Sequence, residues 1–217
     1  YIYIYGDMDV NERLEYLDRE YLSDFDVSDV DIHANIERQA AFDKPVYETK
    51  PYAITEDESL EDNTYLSYNA VIGTSVDAKL YLAFQILDYA LVMTPGAPVK
   101  QALLDAGIST DVYSSYETSL YQPVYSIVAK NSNSKEQGRF VSVINDTLEK
   151  LVKDGINERT IEAGINYYEF KYREADYGPY PKGLMYYLTM MDSWLYDETK
   201  PFIHIEAGDT FDELKKD

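Results

Sequence analysis

The sequence predicts an α+β fold, a two-layer arrangement of an antiparallel sheet with helices on one face, and three observations carry that expectation. Strand-like runs occur in "TYLSYNAVIG" (64–73) and in two neighbouring stretches near 108–115 and 121–130. Apolar residues recur at helical spacing over 77–92, about 135–153 and the segments that follow. The few residues between the second and third strands are too short for a parallel crossover, so these two strands form a hairpin.

Taken in order, Tyr1–Tyr5 alternates Tyr with Ile and reads as a strand that Gly6 ends. Asp9 then fits an N-cap with Glu12 three residues on, a capping box, and Leu14, Leu17, Tyr21 and Leu22 share one face of the helix that follows. Residues 26–63 are dense in acids and weakly periodic; Pro45 and Pro51 bracket an extended piece with one strand expected near Val46–Ile54. After the strand at 64–73, Leu80, Phe84, Leu87 and Leu91 mark a helix over 77–92, which "TPGAP" breaks. Pro98 suits the first position of a short helix that stops at Gly107. Beyond the hairpin, Phe140, Ile144, Leu148 and Leu151 line a long helix ending at Gly155. Asn157 caps another with Ile161, Ile165 and Tyr168 inward, and "YGPYP" interrupts. A last helix over 182–196 presents Leu184, Leu188, Met191 and Leu195. The residues show no internal repeat.

The 217 residues carry 40 acids against 19 bases, a formal charge of -21. Nucleic acid is excluded as a partner on that balance, because phosphate binding needs a basic face, whereas a cationic peptide would be attracted. No apolar run nears the roughly 20 residues that cross a bilayer, so no membrane partner is expected. Absence of Cys removes disulfide and thiolate chemistry and fits a reducing compartment.

Catalytic motifs are missing in a specific way. Zinc hydrolysis needs three protein ligands, commonly His with a carboxylate, and the chain has two His, His33 and His204, in no H-E-x-x-H or H-x-x-E-H pair. His33 and Glu37 share a helical spacing that suits an ordinary surface pair. Asp7, Asp9 and Asn11 match the start of a calcium loop, but its glycine position holds Glu12 and its last position Asp18. Neither a G-x-S-x-G nucleophile elbow nor a glycine-rich phosphate loop is present. Glu174 and Asp176, near Tyr177, read as solvated helix-end acids. Two stretches stand out instead. "MTPGAPVKQALLDAGI" (93–108) feeds a Pro–Gly loop into a helix start, and the strand after it can accept an extended peptide at a sheet edge. "YREADYGPYPKGLMYYLTMMDSWLYDE" (172–198) is rich in Tyr and Met, as a packed core or as a surface facing a substrate; spacing leaves both open.

The opening "YIYIYGDMDVNERLEYLDREYLSDFD", the "LDYALVMTPGAPVKQALLDAGISTDV" stretch and above all "FKYREADYGPYPKGLMYYLTMMDSWLYDE" resemble presequence-protease-type zinc metallopeptidases of the pitrilysin/insulysin family. Arg173-Glu174-Ala175-Asp176, Pro181-Lys182-Gly183-Leu184 and Asp192-Ser193-Trp194-Leu195-Tyr196 carry it most specifically, and it is weakest at 26–62. The resemblance implies metallohydrolase domains of the mitochondrial-processing-peptidase type, four of them around a closed chamber. Residues 1–25 would be the terminal strand and helix of a preceding catalytic domain, 26–45 a linker, and 46–217 a second, non-catalytic domain. Zinc would belong to the full-length parent, on an H-x-x-E-H motif before Tyr1, with no cofactor and no catalytic residue in this chain. Arg and Tyr groups completing that site would follow Asp217.

The expected function is that of a fragment of a zinc metalloendopeptidase degrading unstructured peptides, walling the chamber and contacting substrate. Its partners would be the peptide substrate and the remaining domains of the parent. By resemblance to the insulysin exosite, Thr94, Gly96, Ser109, Thr110, Asp111 and Val112 are the candidate substrate-binding residues. Localisation is expected to be bacterial cytoplasm or an organelle lumen. The alternative is a stand-alone binding or scaffold subunit of the same fold, and an unrelated acidic enzyme working through carboxylates is the third reading.

Overall fold

The structure, a computed structural model, describes residues 1–26 and 36–216. Strands β1 (Thr64–Val71), β2 (Asp111–Glu117) and β3 (Val124–Ser132) form an antiparallel sheet in the order β1-β3-β2. Its register builds rows of inward side chains: Leu66, Ala129 and Val112 in one, Tyr68, Ile127 and Ser114 in the next, Ala70, Tyr125 and Tyr116 in the third. Val112, Ile127 and Ala129 are fully buried, while Tyr65, Val71 and Tyr113 on the opposite face are exposed. That alternation is what a half-buried antiparallel sheet demands. The hairpin forms, displaced two to three residues from its expected bounds, so Ile108, Ser109 and Thr110 lie ahead of β2.

Helices close the inward face. α2 (Ala78–Asp88) starts at Asp77, whose carboxylate accepts the Leu80 N–H at 3.0 Å, and widens into a π-helical turn over Tyr89–Met93. α3 (Pro98–Asp105) has Pro98 in its first turn, where a missing N–H costs nothing. α4 (Gln137–Asp154) lays Phe140 and Ile144 on the sheet, both buried, with Leu148 and Leu151 partly so. These side chains and Leu91, Val92, Val99, Leu103 and Ile108 make the main core. A second core joins Leu82 and Ile86 of α2 to Ile165 of α5 (Glu158–Glu174) and Phe211 of α7 (Gly208–Leu214). The stretch Ala78–Asp105 is apolar enough by composition to cross a membrane, which inspection for unbroken apolar runs misses. The bend at 94–97 divides it into separate helices whose apolar groups fill these two cores.

Several expectations are corrected. Residues 1–5 form no strand and pair with none among the described residues; the rings of Tyr1, Tyr3 and Tyr5 pack on helix α6 (Lys182–Trp194) instead. The strand expected near 46–54 does not form, and that segment is almost wholly exposed, with Tyr52 Oη donating to the Asn63 side chain at 2.7 Å. Helix α1 (Val10–Leu17) keeps its cap, Asp9 accepting the Glu12 N–H at 3.0 Å, and runs into a π-helical turn over Asp18–Leu22. Its expected apolar face stays uncovered: Leu14, Tyr21 and Leu22 are all exposed. In α6 the buried positions are Gly183, Met190 and Ser193; of the expected stripe Leu184, Leu188 and Leu195 are exposed and Met191 is half-buried. Ser193 is fully buried and its Oγ donates to the Lys200 carbonyl at 2.7 Å. Helix α7 was not anticipated; its seven residues are too few for a periodic signal.

Ile144 is fully buried and Val152, two turns on in the same helix, is 89% exposed. Ile144→Ala is expected to lower unfolding stability by about 2–4 kcal/mol, and Val152→Ala to change it by less than about 0.5 kcal/mol, in urea titrations of both variants.

Candidate functional site

Thr94, Pro95, Gly96 and Ala97 form a tight turn closed by Ala97 N–H on the Thr94 carbonyl at 3.0 Å. Gly96 takes φ +75°, the third position of a type II turn, and open space surrounds the place where a Cβ would stand. Thr94 N–H donates back to the Tyr89 carbonyl at 3.2 Å, so the turn is anchored to the end of the α2 unit. Immediately beyond it α3 begins with its first backbone N–H groups unpaired within the helix.

Ser109–Val112 lie past the other end of α3, which is about 12 Å long at 1.5 Å per residue. The structure therefore separates the two halves of the candidate set by one short helix. Ser109 is buried, its Oγ donating to the Asp111 carbonyl at 3.1 Å, and Val112 is in the core. Thr110 is exposed and its Oγ1 accepts from Asn131 Nδ2 at 3.1 Å; Asp111 is exposed opposite Lys130. Contact with a ligand at Ser109 and Val112 is thus restricted to backbone, while Thr110 and Asp111 can offer side chains. β2 is an edge of the sheet, as expected, and runs back to pack against Tyr89–Met93, the segment that leads into the turn.

A second polar cluster, which spacing did not reveal, lies where α6 and the residues after it meet α2 and the β2–β3 loop. Tyr81 Oη donates to Asp192 Oδ2 at 2.9 Å, and Thr118 Oγ1 reaches the same oxygen at 3.4 Å. The His204 ring stacks on Tyr81 with centroids 3.9 Å apart, and its Nε2 meets the Ser75 carbonyl at 2.8 Å. Burial pushes the His204 pKa down from 6.5 to about 4 and the Asp192 pKa up. Nearby, Tyr125 Oη donates to the buried Asp88 at 2.8 Å, and burial raises that carboxyl too. Among the described residues no three His, Asp or Glu groups come together as a metal cage. His204 is committed to a carbonyl and a ring, and His33 lies outside the described residues. The groups described do not fit a zinc site.

Two measurements follow. Gly96→Ala meets no steric barrier, so its cost is that of the left-handed backbone, about 1 kcal/mol in a urea titration. His204 is held neutral when folded, and the unfolded chain takes up the proton first as pH falls. Its contribution is complete above pH 6.5 and is lost between 6.5 and about 4. The acids Asp88 and Asp192 shift the other way and favour the folded state on acidification, so the comparison must be with His204→Gln. The stability difference between wild type and that variant is expected to fall by about 3 kcal/mol from pH 7 to pH 4.

Comparison with known proteins gives this geometry a family. The peptidase M16 inactive domain matches residues 1–168. Protein HypA of Clostridium perfringens is 40% identical over 99% of this chain, which covers 22% of its length. Presequence protease 1, chloroplastic/mitochondrial, of Arabidopsis thaliana is 31% identical over 99% of this chain and 20% of its own. The chain thus spans about a fifth of these curated relatives. In fold it is similar to the inactive peptidase domain of a candidate zinc protease from Bordetella parapertussis, with a TM-score of 0.53 at 12% identity over 70% of this chain and 82% of that one. A candidate zinc protease of Bordetella pertussis gives 0.52 at 14% identity, over 69% and 84%. Both show the fold alone. With its inactive-domain pattern running through three quarters of the sequence, the chain belongs to the peptidase M16 family.

Proposed function

We propose that this chain is a supporting part of a zinc metalloendopeptidase that degrades unstructured peptides, walling the substrate chamber and holding peptide while the metal site lies elsewhere in the parent. The observation that carries this reading is the match to an inactive peptidase domain in a chain whose described residues bring no metal cage together. Residues 1–25 then close a preceding catalytic domain and 46–217 form the non-catalytic one. The uncovered apolar face of α1 supports that division, because an amphipathic helix with nothing buried is a helix whose partner is not among the described elements.

Peptide contact is assigned to the Thr94–Gly96 turn and to residues 109–112 leading into edge strand β2. An extended peptide adds to such an edge through its backbone, which is tolerant of sequence, as a degrader of varied peptides requires. The charge of -21 draws basic peptides toward the surface.

A fluorescent unstructured basic peptide titrated into the chain at two salt concentrations tests this. Binding should weaken with salt and should be abolished when alternate peptide nitrogens are methylated, which blocks strand addition. Salt-independent binding, or equal binding of the methylated peptide, counts against the assignment. Metal analysis and peptide cleavage are expected to be negative for the 217-residue chain and positive for the full-length parent.

A further inference from the structure

The sheet has two edge strands, and they differ in charge. On β1 the exposed positions are Tyr65, Ser67, Asn69 and Val71, with no carboxylate. On β2 they are Asp111, Tyr113, Ser115 and Glu117, so an acid stands at each end of that edge. Residues two apart in a strand share a face, and six residues of extended chain place the two acids about 20 Å apart on it.

Neither acid is neutralised across the ladder. Lys130 is the register partner of Asp111, yet its Nζ lies over the Tyr65 ring, 5.9 Å from the centroid. Asp111 makes no ion pair among the described residues. Glu117 stands opposite Val124 on β3. Its Oε1 accepts the Ser119 N–H at 3.1 Å and the Ser119 hydroxyl at 2.6 Å, bonds that hold the carboxyl below its ordinary range and keep it charged. The open side of β2 thus offers backbone flanked by two anions, with the exposed Tyr113 ring between them.

These charges select what can add there. A second copy of β2 pairing antiparallel about Ser114 would set Asp111 against Glu117 and Glu117 against Asp111, two repulsive pairs that guard the edge against self-association. Cations at the same two positions turn both pairs attractive. We infer that Asp111 and Glu117 are specificity-determining residues of the β2 edge, which selects an extended peptide with two cationic side chains six residues apart and an apolar residue between them to lie beside Tyr113. The inference rests on strand addition at β2. Attraction by net charge is blind to spacing, whereas this edge reads it. Cationic groups five apart point to opposite faces of an extended chain, and no slip of register brings both to the acids.

The test titrates two labelled peptides of equal composition, KTTTVTK and KTTTVKT, into the 217-residue chain. The first, with its lysines six apart, is expected to bind about threefold more tightly. With Asp111→Asn and Glu117→Gln together, the two peptides should bind alike. With Asp111→Lys and Glu117→Lys together, ETTTVTE should be preferred to ETTTVET. Each comparison pairs peptides of the same charge, so the altered net charge of a variant leaves the ratio untouched. Equal binding of KTTTVTK and KTTTVKT to wild type overturns the inference, as does a preference that survives in the Asn/Gln variant. Methylating alternate nitrogens of KTTTVTK separates the two readings. If methylation abolishes binding while spacing makes no difference, strand addition stands and the specificity falls; if the methylated peptide binds equally well, both fall.

Discussion

Helix α2 is buried on two sides, and the positions of the other elements follow from what is needed to cover it. Phe84 and Leu87 turn toward the sheet, Leu82 and Ile86 toward α5 and α7. A helix apolar around most of its circumference is stable only inside a protein. The sheet with α3 and α4 satisfies one side; α5 and α7 satisfy the other. Gly164 of α5 is a consequence: the place of its absent Cβ lies 3.3 Å from the Ile86 carbonyl, so the two helices approach more closely than side chains would permit. The bend at Thr94–Ala97 is another, because without it the same apolar run would continue past the core it has to fill.

Polar groups fix the way the outer helices sit on this frame. Asp192 of α6 meets Tyr81 of α2, His204 meets the carbonyl of Ser75, and Tyr196 Oη donates to the Ser119 carbonyl at 2.8 Å. Apolar contact alone is non-directional, and Leu184 and Leu188 of α6, with Leu195 just past its end, are exposed although they could have served as a buried stripe. Hydrogen bonds at defined distances select the other face. The same buried groups carry a cost, visible in the depressed His204 and raised Asp192 and Asp88, which burial disfavours in their charged forms. The Ser75 Oγ beside them is fully buried and finds no hydrogen-bond partner among the described residues.

For an inactive domain of the M16 family the result is a sheet-and-helix body whose exposed edge offers the backbone of β2 together with the side chains of Thr110 and Asp111. The turn at Gly96 and the edge of β2 adjoin the main core unit, whereas Tyr1–Tyr5 packs its rings on α6 and α1 buries none of its residues. Each ring contact of Tyr1, Tyr3 and Tyr5 with α6 is worth about 0.5–1.5 kcal/mol, comparable with the roughly 1–2 kcal/mol of backbone entropy given up by each residue it orders. The two regions therefore differ in how firmly they are held.

Local chemistry was legible in the residues. The caps at Asp9, Asp77 and Asn157, Pro98 at a helix start and the inward stripe of α4 all involve residues within a few positions of one another. The edge position of β2 is set by β1 pairing with β3, a choice that the hairpin alone leaves open. In the candidate site, the Thr94–Gly96 turn was visible because a Pro–Gly pair specifies it; the burial of Ser109 and Val112 was not, because strand phase depends on the sheet beneath. The cluster of Tyr81, Asp192 and His204 joins residues more than a hundred positions apart and leaves no periodic trace. Alternation and capping by themselves determined the α+β class and the order of strands and helices from Thr64 through α6, since these depend on neighbours in sequence. Only the tertiary structure decided that Tyr1–Tyr5 lies on a helix instead of in a sheet, and that α6 buries Gly183, Met190 and Ser193 instead of its leucines. Both outcomes are set by which surface is within reach to bury a ring or satisfy a hydrogen bond, and that is a property of distant parts of the chain.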